Sequence, residues 1–127
     1  MKRVNINSGS TWEDIVGYSR AVKVNNVIEV AGTTATKDGE IIGKGDPYQQ
    51  TEFILSKIAS TLIELGSGLS DVVRTRMYVV NINQWEEIGR AHKKFFKNIK
   101  PVATMVEVKS LIDPDLLVEI EVTAITG

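Results

Sequence analysis

Cysteine is absent from the 127 residues, which removes disulfides, thiol nucleophiles and Cys-based zinc sites together. That fits a reducing compartment. Histidine is almost as scarce. His92 stands alone, so a multi-His metal site within one subunit is excluded and any Ser-His-Asp relay would have to run through it. Nothing resembles a basic footprint for nucleic acid: 15 Lys and Arg face 16 Asp and Glu, for a net charge of -1. No apolar stretch is long enough to cross a bilayer. Met1 to Ser10 starts with two basic residues but has no apolar core of the kind a signal peptide needs. The expectation is therefore a cytoplasmic protein with neither nucleic acid nor membrane among its partners.

What remains is an ordinary globular composition, 43% apolar and 24% charged. The length suits one domain over residues 1–127. A chain this short buries a modest share of its surface, so assembly into a homo-oligomer is expected to contribute to its stability.

Periodicity divides the chain into alternating elements. Val22 and Val24, then Val27 to Ala31, read as strands joined at Asn25-Asn26, because asparagine tolerates the positive φ of a tight turn. Gly32 closes the pair. Lys37-Asp38-Gly39 reads as another turn, leaving Thr33 to Thr36 as loop or strand end. Asp46-Pro47 has the N-cap and first-position chemistry of a helix start. Ile54, Ile58, Leu62 and Leu65 then form one stripe before Gly66. A strand over Asp71 to Val80 places Val73, Thr75, Met77 and Val79 on one face and Arg74, Arg76 and Tyr78 on the other. The spacing of Trp85, Ile88, His92 and Phe95 predicts a helix from about Asn83 to Phe96. Strands over Thr104 to Val108 and Leu116 to Ile125 flank a turn at Asp113-Pro114-Asp115.

The order strands, helix, strand, helix, strands predicts an α+β domain: a mixed sheet with two helices packed on one face. Parity places Glu119, Glu121 and Thr123 on the uncovered face, with Arg74, Arg76 and Tyr78 beside them. The same parity, carried to the preceding strand, adds Ala103, Met105 and Glu107. Such a face is either solvated, with weak ion pairs, or an interface between subunits enclosing a small-molecule cleft. The pattern alone leaves both readings open.

Other residues carry less chemistry. His92 falls on an apolar helical stripe, where a partly buried, hydrogen-bonded imidazole facing away from Glu119 is the expectation. Trp85 and Phe95-Phe96 read as packing residues. Asp113 and Asp115 read as turn formers. Gly43-Lys44-Gly45 lacks phosphate-loop spacing and reads as a flexible approach to the helix.

Three segments together resemble the RidA/YjgF family. Tyr18 to Val24 with Val27 to Gly32 resembles that family's opening hairpin, and Asp71-Val72-Val73-Arg74-Thr75 its central strand. Pro101 to Val108 followed by Val118-Glu119-Ile120-Glu121 resembles its C-terminal signature. The resemblance implies a chorismate-mutase-like fold and a homotrimer whose sheets form a barrel, with three small-molecule clefts at the subunit boundaries. It also implies hydrolysis of reactive enamines and imines to 2-oxo acids and ammonia, with no cofactor and no metal. By the resemblance, Glu119 orients or activates water, backbone groups near Gly32 hold the imine end, and Tyr18 lines the pocket. Thr104 matches the hydroxyl residue that follows the family's substrate-gripping arginine.

That arginine is replaced. The family pattern of Pro, any residue, Arg, Ser/Thr reads here Pro101-Val102-Ala103-Thr104, and Met105 follows where a small residue is usual. An arginine fork on a carboxylate contributes roughly 1.5 to 3 kcal/mol. Two other cations are candidates to take its place: Arg20 beside Tyr18, and Arg76 on the face assigned to Ala103. Arg76 has a competing reading as the structural partner of Glu119 or Glu121, and Arg20 as a solvated surface residue. The departure leaves two functions in play, an imine or enamine deaminase and a non-catalytic trimer that binds a small metabolite. Ribonuclease activity, assigned to some relatives, ranks third because the chain has a single histidine and no basic stripe.

Overall fold

The computed structural model describes every residue from Met1 to Gly127. Strand β1 (Arg3–Ile6) and a short helix α1 (Thr11–Val16) come first, and the periodicity argument anticipated neither. Gly17 ends α1 with φ 88° and returns its N–H to the Glu13 carbonyl at 2.9 Å. Strands β2 (Ala21–Val24) and β3 (Val27–Thr33) form the anticipated hairpin, with Val24 opposite Val27 and Asn25 at φ 54°. β3 runs through Gly32 and ends one residue later. The Asp38-Gly39 turn joins β4 (Thr36–Lys37) to β5 (Glu40–Ile41).

Helix α2 (Pro47–Glu64) starts as the sequence predicts, with the Asp46 side chain accepting from the Gln49 N–H at 3.0 Å. Its apolar stripe is wholly buried at Ile54, Ile58 and Leu62. β6 (Val72–Val79) follows, then a single 3-10 turn and helix α3 (Trp85–Phe96). α3 buries Ile88, Ala91 and Phe96, whereas Trp85, read from the sequence as a packing residue, is more than half exposed at the helix start. The chain ends with β7 (Val102–Glu107) and β8 (Val118–Ile125).

The six long strands make one mixed sheet in the order β1-β2-β3-β8-β6-β7, with β6 and β7 parallel and the other pairs antiparallel. α2 and α3 pack on each other and on one sheet face, enclosing a core of Ile28, Ile54, Ile58, Ile88, Val118 and Ile120. This is the predicted α+β arrangement. The opposite face, across which neither α2 nor α3 packs, keeps Arg74, Arg76, Tyr78, Glu119 and Glu121 half-exposed.

Two parity expectations fail. In β6 the ladder against β8 slips between Val72 and Arg74. Val72 therefore turns into the core and Val73 outward, 43% exposed; a bulge reverses side-chain direction on one side of itself. In β7 the parallel register sets Ala103 against Thr75 and Met105 against Met77, both buried on the helix side. Ala103, Met105 and Glu107 thus point to the helix side of the sheet, where Met105 is part-buried and Ala103 and Glu107, on the edge strand, stay exposed. Met105 packs on the core, and the Glu107 carboxylate accepts the Ile82 N–H at 2.9 Å. Val102, Thr104 and Val106 take the uncovered face. A strand with apolar residues at both parities does not declare its own register, and core packing decided it.

Buried Gln50 fixes the approach to β8. Its Nε2 donates to the carbonyls of Gly43 (3.2 Å) and Asp115 (3.0 Å), while its Oε1 accepts the Leu117 N–H at 2.9 Å. The Gly43 loop and the residue leading into β8 are thereby tied to α2, two residues before Glu119.

Candidate active site

Between Val30 and Thr33 the β3–β8 ladder is interrupted, and Gly32 lies in the gap against the Glu119 side chain. A Cβ there would stand 3.0 Å from Glu119 Cδ and 3.3 Å from its Cγ, and closer still to Oε2. Gly32 has an ordinary backbone conformation, so glycine is required here for space and not for φ. The carboxylate looks into a cleft of about 1080 Å³ bordered by α1, α2, β3, the 34–39 loop and Ile112.

Glu119 is half-buried. Desolvation raises its carboxyl pKa above the ordinary 4.5, the nearby positive charge of Arg20 opposes the rise, and Glu121 adds to it. Arg20, for which the sequence left a competing reading as a solvated surface residue, is only 7% exposed. One guanidinium nitrogen donates to the Gly32 carbonyl at 2.8 Å, and its charge centre lies 5.9 Å from the Tyr18 ring centroid. Four of the residues named from the sequence (Tyr18, Arg20, Gly32 and Glu119) therefore border one cleft.

Lys57 also borders it and was missed by the sequence argument. It sits one residue before Ile58 of the apolar stripe, where a lysine reads as a helix flank. Its Nζ donates to the Thr36 carbonyl at 3.0 Å. Burial, reinforced by Arg20 and opposed by Glu13, lowers its pKa from the ordinary 10.5. Glu13 is itself buried, with its carboxylate bonded to the Ser8 N–H at 2.9 Å and to the Ser8 hydroxyl. It anchors the turn leading into α1, whose Trp12 and Val16 reach the mouth of the cleft.

The remaining candidates lie elsewhere. Arg76 faces a separate cavity of about 510 Å³ on the uncovered sheet face, 3.9 Å from Glu121, which also accepts the Tyr78 hydroxyl at 2.7 Å. It shares no face with Ala103, contrary to the sequence argument, because Ala103 aligns with Thr75 and Arg76 with Thr104. Thr104 sits on the uncovered face of the edge strand β7, with β6 between it and β8, and does not border the Glu119 cleft of its own chain. His92 lies on the helix side as expected, its Nε2 2.9 Å from the Thr75 hydroxyl and its ring 4.7 Å from that of Phe96. Burial lowers its pKa from 6.5. No group of three or more His, Cys, Asp or Glu is placed to hold a metal ion, and no helix is long and apolar enough to cross a membrane.

Comparison with known proteins places this geometry. A family profile described as endoribonuclease L-PSP matches residues 9–126. An uncharacterized protein of Streptomyces coelicolor is 39% identical over 122 residues, covering 96% of this chain and 91% of that one. A RutC family protein of Pyrococcus abyssi is 37% identical over 109 residues, covering 84% of each. The crystal structure of a YjgF family member from Mycobacterium tuberculosis superposes with a TM-score of 0.90 at 46% identity, over 98% of this chain and all of that one.

Proposed function

The chain belongs to the endoribonuclease L-PSP family, also known as RidA/YjgF, and on that premise we propose that it hydrolyses small imines and enamines in the Glu119 cleft. The observation that carries the reading is a half-buried carboxyl group, shifted toward neutrality, held against Gly32 in an open cleft. A group in that state can exchange a proton near its operating pH. An enamine first takes a proton at carbon to become the imine. Glu119 then takes a proton from water as the oxygen adds to the C=N carbon and passes it to the nitrogen, giving a carbinolamine. It moves the remaining hydroxyl proton to the nitrogen as the C–N bond breaks and the carbonyl forms. The products are a carbonyl compound and ammonia, so atoms and charge balance without a cofactor. Arg20 holds the Gly32 carbonyl in place and contributes positive potential beside the carboxylate.

The reading includes assembly of three copies through the uncovered sheet face and the β7 edge. Exposed Val27, Val102, Val106 and Ile125 on that side support it, because an apolar strand edge left in water invites pairing. A neighbour's β7 would bring Thr104 to the cleft. A ribonuclease reading has less support, since Arg20 and Lys57 are withdrawn into a cleft and form no exposed track for phosphates.

The alternative, a metabolite-binding trimer without turnover, is favoured by Ala103, which offers no cation. Assay of the purified protein on 2-iminopropanoate and 2-iminobutanoate generated in place separates the two. Acceleration over buffer that disappears in Glu119→Gln supports the enzyme; no acceleration at high protein concentration refutes it for these substrates. Sedimentation as a lone subunit would refute the assembly.

A further inference from the structure

Lys57 has the surroundings of an amine that holds its proton poorly. It is half-buried on α2, and one of its N–H groups reaches the Thr36 carbonyl at 3.0 Å. No carboxylate lies within ion-pair distance of it, since the chain's ion pairs are Lys44–Asp115, Arg76–Glu121 and Lys94–Glu52. Glu13, the buried acid whose charge favours the ammonium form, is engaged by Ser8. Arg20 acts the other way. Its guanidinium is fixed on the Gly32 carbonyl and borders the same cleft. Burial first, and the Arg20 charge second, lower the Lys57 pKa. Lys37, Asp38 and Glu119 are the other charged groups on the cleft wall.

A lysine withdrawn from water and set near another cation is the arrangement that makes an amine nucleophilic toward a carbonyl carbon. Other lysines of the chain lack it. Lys37 stands exposed on the same cleft, Lys23 donates to the Leu65 carbonyl, and Lys94 is paired with Glu52, which raises its pKa.

We propose that Lys57 is a covalent capture site for small apolar aldehydes, which it holds as an imine on Nζ. Trp12, Val16, Phe53 and Ile112 border the same cleft and suit the hydrocarbon part of such a ligand. The free amine adds its lone pair to the carbonyl carbon, and the resulting carbinolamine loses water as the C=N bond forms. Counted from the ammonium, the oxygen departs with two of the three nitrogen hydrogens. The protonated imine keeps the third, the one donated to Thr36. Atoms and charge balance with no other reactant, and water reverses the step. This capture goes beyond the hydrolase reading, because it needs neither turnover nor a negative group on the ligand.

The test traps the imine. Full-length protein at pH 7 is treated with butanal and sodium cyanoborohydride to low conversion, and the butylated lysines are ranked by peptide mass spectrometry. Lys57 should react several-fold faster than Lys37 and the other exposed lysines, and that lead should vanish in denaturing urea. The lead should also narrow as pH rises toward 10.5, where ordinary lysines lose their protons too. Arg20→Gln should slow Lys57 and leave Lys37 unchanged. Glu13→Gln, whose amide oxygen can still accept from Ser8, should speed Lys57. Each variant is checked by its melting curve, and either one suffices if the other fails to fold. Labelling of Lys57 no faster than Lys37 in the folded protein overturns the proposal, and so does a lead that persists in urea or is unmoved in the folded variants. Imine hydrolysis is measured separately on the same samples. Selective capture without hydrolysis would sink the hydrolase reading and leave the Lys57 site standing; hydrolysis without preferential labelling of Lys57 would do the reverse.

Discussion

Replacing Gly32 with alanine moves the Glu119 carboxyl without altering any charge. The added methyl would meet Glu119 Cδ at 3.0 Å and Cγ at 3.3 Å, with Oε2 nearer still. Ordinary contacts need about 3.4 to 4 Å. The side chain must swing until its carboxyl has moved by roughly 1 Å, a displacement that can cost about 100-fold in rate when it misplaces a reacting group. Stability should respond far less. The obstructing atoms are the end of a flexible side chain, so the penalty is one off-rotamer adjustment of about 0.5 to 1.5 kcal/mol. Against it stands a gain of about 0.4 to 1 kcal/mol, because alanine has fewer unfolded conformations and Gly32 has no positive φ to preserve. The expected result is imine hydrolysis reduced about 100-fold with a melting temperature within a few degrees of wild type. Full activity in Gly32→Ala would refute the placement of Glu119 as the acting group. A loss of activity that merely follows a loss of folded protein would refute the energetic part of the argument.

Three further outcomes follow from the same structure. Glu119→Gln should lower kcat by about 100-fold to 10,000-fold, the range for a lost general acid–base. The same variant should be more stable than wild type at pH 7, since a carboxyl whose folded pKa is raised binds its proton more tightly when folded and destabilises the fold once ionised; chemical denaturation should show this advantage shrinking as pH falls toward the ordinary 4.5 and gone below it. His92 titrates the other way. Its folded pKa is lowered by burial, so acid favours the unfolded chain from pH 6.5 downward, and His92→Gln should flatten the fall in stability between pH 7.5 and 5.5. Gln50→Leu strands the Gly43 and Asp115 carbonyls and the Leu117 N–H. It should lower stability by about 2 to 4 kcal/mol, seen as a reduced urea midpoint at unchanged slope.

Local chemistry was legible in the sequence wherever one residue type satisfies one geometric demand. Asn25 and Asp38 at positive φ, the Asp46-Pro47 helix start and the buried stripe of α2 stand where their patterns place them, because turns, caps and 3.6-residue periodicity are decided within a few neighbours. The pairing of Glu119 with Gly32 was legible only through family resemblance, as the two residues lie far apart in the chain. Tertiary packing settled what short-range patterns leave degenerate. The bulge after Val72 turned Val73 outward, and Met105 on the core set the parity that separates Ala103 from Arg76. Exposed Trp85 shows the converse: apolar spacing does not reveal that a helix start has no neighbour to cover it. Lys57 carries no sequence signal beyond a charge on a helix. It became a candidate only when α2, the turn before β2 and the interrupted β3–β8 ladder enclosed the same cleft, since the energy of a charge depends on what surrounds it and not on its place in the chain.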